Sequence, residues 1–353
     1  MSDVIVAPET RDLAELGETL SRWLGQRLPQ AREVSVHNLT YPRGAGQSHE
    51  TILFEARWRE DGAERTLGCV VRIKPGHFTV FPDNLFDEQY QVMRVLHERG
   101  TVKVAEPLWL EEDPTLLGKP FFVMRKVEGR VPVSIPPYAR EGWVAEASPA
   151  ERRRMWESGV RQLAAIQHVP LDAARFLQGP PHAREGLAQE WDKYLRFIRW
   201  LEDEGAAHGF LRVLDAALAR LETSWPSNQP EGLVWGDARL GNMMFDDDFE
   251  VAAVMDWEQP SLGGALHDLA WFVEICETMH GRNSVVGRYL EGMGTREETV
   301  ALWEDVSGKS AADLDWYVDF ARVKMSCTGV RLGLLRGTVM TDEASMSRRL
   351  KVA

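Results

Sequence analysis

The stretch Trp235-Gly236-Asp237-Ala238-Arg239-Leu240-Gly241-Asn242, followed by Val254-Met255-Asp256-Trp257-Glu258, decides how this chain is read. It sets three side chains with proton- and metal-handling chemistry, Asp237, Asn242 and Asp256, at short spacings. Phosphoryl transfer asks little covalent work of a protein. It needs a carboxylate to orient the acceptor hydroxyl, and an Asn and an Asp to hold magnesium on the phosphates. Asp237 suits the first task, and Asn242 and Asp256 suit the second.

Between the two motifs, Met243 to Phe245 and Val251 to Met255 are short apolar runs around Asp246-Asp247-Asp248, which reads as a hairpin. Antiparallel strands return to their starting point, so the hairpin should bring Asn242 and Asp256 together. Upstream, Leu13, Leu16, Leu20, Leu24 and Leu28 recur at helical spacing until Pro29 closes the segment. The chain then changes character. Apolar or β-branched runs at Thr51 to Trp58, Leu67 to Ile73 and Phe121 to Val127 predict a small antiparallel sheet. One helix interrupts it, with Phe86, Tyr90, Met93 and Leu96 on one face and Gly100 at its end.

Beyond Val127-Glu128-Gly129-Arg130-Val131-Pro132 the pattern becomes almost wholly helical. Ser148-Pro149-Ala150-Glu151 is a capping box that opens a helix carrying Trp156, Val160, Leu163 and Ile166 on one face. Leu187 to Leu201, Phe210 to Leu221, Leu266 to Met279 and Leu314 to Leu334 continue in the same way. The expected division is an N-terminal helical extension at 1–33, a strand-rich lobe at 34–128 and a helical lobe at 129–353.

Composition narrows the function classes. A net charge of -13 argues against a nucleic-acid surface, which needs clustered Lys and Arg. No apolar run approaches the roughly 18 residues that span a bilayer, and no basic region precedes the apolar patch near the start, so the expectation is a cytoplasmic protein without membrane partners. Cys69, Cys276 and Cys327 lie far apart with no ligand spacing, which predicts core thiols and neither a disulfide framework nor zinc.

With loop and hairpin placed, the chain resembles the aminoglycoside phosphotransferase family. The resemblance runs from about Val34 to Ala270 and rests on Gly-Asp-x-Arg-Leu-Gly-Asn and Asp-Trp-Glu. In that detail it looks most like the kinase-like domains associated with acyl-CoA dehydrogenases. It implies an α+β, bilobal protein-kinase-like fold with a small antiparallel-sheet N-lobe and a larger, mainly helical C-lobe. It also implies an ATP- and Mg2+-dependent enzyme that moves the γ-phosphoryl group of ATP to a hydroxyl of a small molecule.

Residue by residue, the resemblance makes Asp237 catalytic, Asn242 and Asp256 the magnesium ligands, and Asp268 a support of the catalytic loop. Arg239 is open to two readings, an anion contact or a salt bridge. The phosphate-clamping cation is Arg72 by alignment, with Lys74 on the same strand face as the other candidate. Gly44, Gly46 and Ser48 take the place of the nucleotide-covering loop, and backbone near Met124, Lys126 and Val127 that of the adenine-reading segment.

Two positions depart from the pattern. Trp235 stands where the family usually has His, and is expected to pack there with its N–H on a carbonyl. Counting back from Leu96 places Gln89 where a Glu normally pairs the strand cation, with Glu88 one position earlier as the rival. These departures carry the alternative reading, a nucleotide-binding pseudokinase that acts as a regulatory or interaction module.

Overall fold

In the computed structural model, residues 11–42, 49–76, 79–178, 185–282 and 284–352 are described. The expected nucleotide-covering positions Gly44, Gly46 and Ser48 lie outside them. Backbone contacts divide the chain into two units, one comprising residues 1–79 and 105–128, the other 80–104 and 129–353.

The first unit is built on α1 (Leu13–Arg27) and strands β1 (Arg32–Thr40), β2 (Glu50–Glu60) and β3 (Ala63–Ile73). Then follow α2 (Phe86–Arg99), which groups with the second unit, and β4 (Pro107–Glu111) and β5 (Phe121–Arg125). The strands form one antiparallel sheet in the order β1-β2-β3-β5-β4. Asp61 and Gly62 join β2 to β3 with positive φ of 50° and 78°, the two-residue geometry that Asp-Gly favours because it matches the strand twist.

Alternation along the strands turns Ile52, Phe54 and Ala56, Cys69, Val71 and Ile73, and Phe121 and Val123 into a single core with Leu16, Leu20, Trp23 and Leu24 of α1. The leading helix is thus part of this unit's core. Its start is capped by Asp12, whose Oδ1 accepts the amides of Ala14 and Glu15 at 2.8 and 3.2 Å.

The second unit continues with α3 (Trp143–Glu146), α4 (Pro149–Ala165), α5 (Leu187–Asp203) and α6 (His208–Thr223). It then runs through the hairpin β6 (Met243–Phe245) and β7 (Val251–Val254), and α7 (Leu266–His280), α8 (Arg296–Ser307), α9 (Leu314–Arg336) and α10 (Glu343–Leu350). The capping box is formed in both directions: the Glu151 amide donates to Ser148 Oγ at 3.3 Å and the Ser148 amide to Glu151 Oε2 at 2.7 Å. Helix α7 packs against α9, and α4 against α8 and the β7 strand. Cys69, Cys276 and Cys327 are all buried thiols, and burial pushes Cys69 up to about 12. Among the described residues no helix is long and apolar enough to cross a membrane.

Candidate active site

The hairpin does what its sequence implies. Met243 pairs with Val254, and the Met255 amide donates to the Asn242 carbonyl at 2.8 Å, so Asn242 and Asp256 leave its open end side by side in the backbone. Asp256 holds a positive φ of 61°. A non-glycine residue in that region is uncommon, Asp and Asn tolerate it best, and such strain collects at functional sites.

The loop before the hairpin is held tightly. Gly236 has φ of 104°, and a Cβ there would fall 2.5 Å from the Gln259 carbonyl oxygen, so only glycine fits. Asp268, in the first turn of α7, accepts the Trp235 amide on Oδ2 at 2.6 Å and the Gly236 amide on Oδ1 at 2.9 Å. One carboxylate therefore fixes two successive peptide groups immediately before Asp237. Burial pushes Asp268 up to about 6, against the pull of those two N–H donors.

The sign of the linkage follows from that value. A carboxyl with a raised folded pKa adds stability below its unfolded pKa near 4, and that contribution is lost as pH rises through about 6. At neutral pH the Asp268 carboxylate therefore serves loop geometry at some expense of stability. Asp268→Asn is expected to melt within a few degrees of the wild type but to lose about 100-fold in kcat, because its NH2 group would face a backbone amide and displace the loop. Thermal melts and steady-state rates on the same preparation check both halves.

Trp235 is fully buried, its indole N–H donates to the Met255 carbonyl at 2.8 Å, and its ring lies 5.7 Å from that of Trp257. The expected carbonyl bond is thus present. It ties the loop to the residue preceding Asp256.

Asp237 sits at the centre of four contacts. Its Oδ1 accepts the Trp271 indole N–H at 2.9 Å, and its Oδ2 accepts Asn242 Nδ2 at 2.6 Å and Arg239 Nε at 3.0 Å. Asn242 Nδ2 also donates to the Asp237 carbonyl at 3.0 Å. Arg239 in turn donates to Ser134 Oγ at 2.8 Å. Arg239 thus forms a salt bridge with Asp237. Burial works against the Arg239 charge, but Asp237 and then Asp256 hold its pKa above the ordinary value.

Trp271 and Ser134 were not among the expected site residues. Trp271 follows Asp268 by three on α7, so once Asp268 faces the loop, helical periodicity places Trp271 on the same side. Ser134 gives no such signal, because only the folded chain brings it to Arg239.

The donors suit a hard cation. The Asn242 side chain donates twice through Nδ2, to the Asp237 carbonyl and to Asp237 Oδ2, its own oxygen is of the hard type, and Asp256 supplies a carboxylate. Among the described residues no three His, Cys, Asp or Glu side chains converge as a cage. Two protein oxygens completed by phosphates and water is the coordination magnesium accepts.

In the first unit, Arg72 is buried in β3 with its guanidinium 3.1 Å from His49 Nδ1, whereas Lys74 lies past the end of that strand and is half-buried. Met124 is half-buried in β5. The Lys126 amide donates to the Gly68 carbonyl at 2.9 Å while its ammonium pairs with Glu128 at 2.8 Å, and Val127 follows. In the second unit, Gln89 is fully buried on the inward face of α2 and both polar atoms of its side chain are without a hydrogen-bond partner among the described residues. Glu88, about 100° around the helix, is only half-buried.

The Phosphotransferase enzyme family matches residues 44–305. The acyl-CoA dehydrogenase family member 11 of Homo sapiens is 26% identical over 348 residues, covering 93% of this chain and 42% of that protein. The chain spans 30% to 42% of the length of the first curated relatives it matches. A putative aminoglycoside phosphotransferase from Ralstonia eutropha superposes with a TM-score of 0.65 at 23% identity, over 95% of this chain and 94% of that one. A thermostable aminoglycoside phosphotransferase mutant, in ternary complex with AMP-PNP and hygromycin B, superposes with a TM-score of 0.51 at 14% identity, over 94% and 97%. These likenesses show the fold, α+β and protein-kinase-like with a five-stranded antiparallel sheet and a mainly helical lobe.

Proposed function

The chain belongs to the phosphotransferase enzyme family, and from that premise we propose that it transfers the γ-phosphoryl group of ATP to a hydroxyl of a small molecule. The observation that carries the reading is the convergence on Asp237 of Trp271, Asn242 and Arg239, with Asp256 delivered to the same hairpin end. Asp237 orients the acceptor hydroxyl and takes its proton. Each carboxylate oxygen has two acceptor sites, so the contacts already present leave room for the substrate proton. Asn242 Oδ1 and Asp256 would hold magnesium, whose chemistry is to neutralise charge on the phosphates. Arg72, the buried cation of β3, is the phosphate clamp, in preference to Lys74.

Nucleotide use is supported by the AMP-PNP complex of the structural neighbour, and a small-molecule acceptor by the hygromycin B in the same complex. A second reading, a nucleotide-binding module without turnover, is favoured by Gln89, a neutral amide with no hydrogen-bond partner among the described residues, where a pairing carboxylate is usual. Trp235, the other departure, packs and bonds within the loop. Release of ADP from Mg-ATP over a panel of hydroxylated acceptors, including aminoglycosides and hydroxylated acyl compounds, separates the two. Acceptor-dependent ADP formation supports the transferase, and tight ATP binding without it supports the second reading.

A further inference from the structure

We infer that Glu190, which lies outside the catalytic constellation, is a positioning residue of the 235–242 loop, acting through three separate links. It stands on α5 and is 2% exposed, with Lys193 and Lys324, both at most 5% exposed, against it. Lys324 of α9 bonds Glu190 Oε2, and Lys193 Nζ lies 3.7 Å from Oε1.

Each neighbour of this carboxylate reaches the loop by a different route. Ser261 Oγ donates to Glu190 Oε1 at 2.6 Å, and the Ser261 backbone exchanges hydrogen bonds of 2.8 and 3.3 Å with Val234, the residue before Trp235. Lys193 Nζ donates to the Gln259 carbonyl at 3.2 Å, the same oxygen that crowds Gly236. Lys324 Nζ lies 3.3 Å from His267 Nδ1, and His267 immediately precedes Asp268, the holder of the Trp235 and Gly236 amides. Residues 259 to 263 are seated on α5 as well: the Leu262 amide donates to Gln189 Oε1 at 2.6 Å, and a Cβ on Gly263 would fall 2.1 Å from Glu190 Cγ.

Electrostatics agree with that geometry. Burial works to raise the Glu190 pKa, but Lys324 and then Lys193 carry it well below the ordinary carboxylate value. Burial first, and Lys324 second, lower His267 and keep it neutral. Buried ion clusters of this kind contribute little net stability, and apolar replacements of similar volume are often neutral or better. What such a cluster supplies that methionines cannot is direction: each proton points at one acceptor.

The test rests on the proposed activity only for its kinetic arm. In Glu190→Gln, hydrogen exchange of the Trp235 and Gly236 amides is expected to accelerate at least tenfold while exchange in α4 stays unchanged. The kcat is expected to fall at least tenfold with KM for ATP within twofold. If that variant does not fold, the charge-free Glu190→Met/Lys193→Met/Lys324→Met protein takes its place. A folded variant whose loop exchange matches the wild type overturns the inference. Absence of turnover in the wild type counts against the transferase reading alone, because loop exchange decides the inference without it.

Discussion

Asp237→Asn is expected to lower kcat by about three orders of magnitude, in the range that a positioned general base contributes, while the protein melts near the wild-type temperature. The substitution keeps the shape of the side chain and an oxygen to accept the Trp271 indole N–H. It removes the acceptor that Asn242 Nδ2 and Arg239 Nε share, and puts an NH2 group there instead. The half-buried Arg239 then keeps its bond to Ser134 but loses that to Asp237, so the loop rearranges locally as well as losing its proton acceptor. Steady-state rates at saturating ATP, read beside a thermal melt, check this. A loss below tenfold would show that Asp237 does not take the acceptor proton.

The second large effect is expected at Asp256. Asp256→Asn should abolish the magnesium dependence of ATP binding and leave the fold intact. Asn is the informative replacement because Asp256 sits at φ of 61°, a conformation Asn adopts nearly as readily as Asp and alanine does not. The change therefore isolates the charge. It also withdraws one of the carboxylates that hold the Arg239 pKa up, although Asp237, the larger contributor, remains. Calorimetric titration with ATP, with and without magnesium, should give a magnesium-enhanced affinity in the wild type and one value for the variant. An unchanged magnesium enhancement would remove Asp256 from the metal site.

Much of the fold was legible because its signals are local. The alternation of Ile52, Phe54 and Ala56 and of Cys69, Val71 and Ile73 marks central strands, and the Ser148 capping box marks a helix start. The two strands given no bounds from the sequence, β1 and β4, are the two edges of the sheet. β1 is largely exposed or half-exposed, and β4 has five residues beginning with Pro107, so neither shows a clean alternation. α1 read as a separate extension because nothing in its sequence says that Trp23 and Leu24 cover that sheet.

At the candidate site, the neighbourhood of Asp237, Asn242 and Asp256 was legible from spacing, since a short loop and a hairpin fix it by chain connectivity, whereas Asp268, on α7, came from the family resemblance alone. Arg239 left two readings open because a loop arginine finds its partner in three dimensions. Ser134 lies 105 residues before Arg239 along the chain, and Glu190 and Lys324 are 134 apart. No periodicity reports contacts of that range. Gln89 is buried and Glu88 half-buried, which follows from which face of α2 turns inward.

Phosphorus NMR of wild-type protein with Mg-ATP and the acceptor panel tests the phosphotransfer site most directly. The expected result is a new phosphomonoester resonance that grows in step with ADP for at least one acceptor and is absent with Asp237→Asn. Tight Mg-ATP binding with no phosphomonoester from any acceptor class would contradict it.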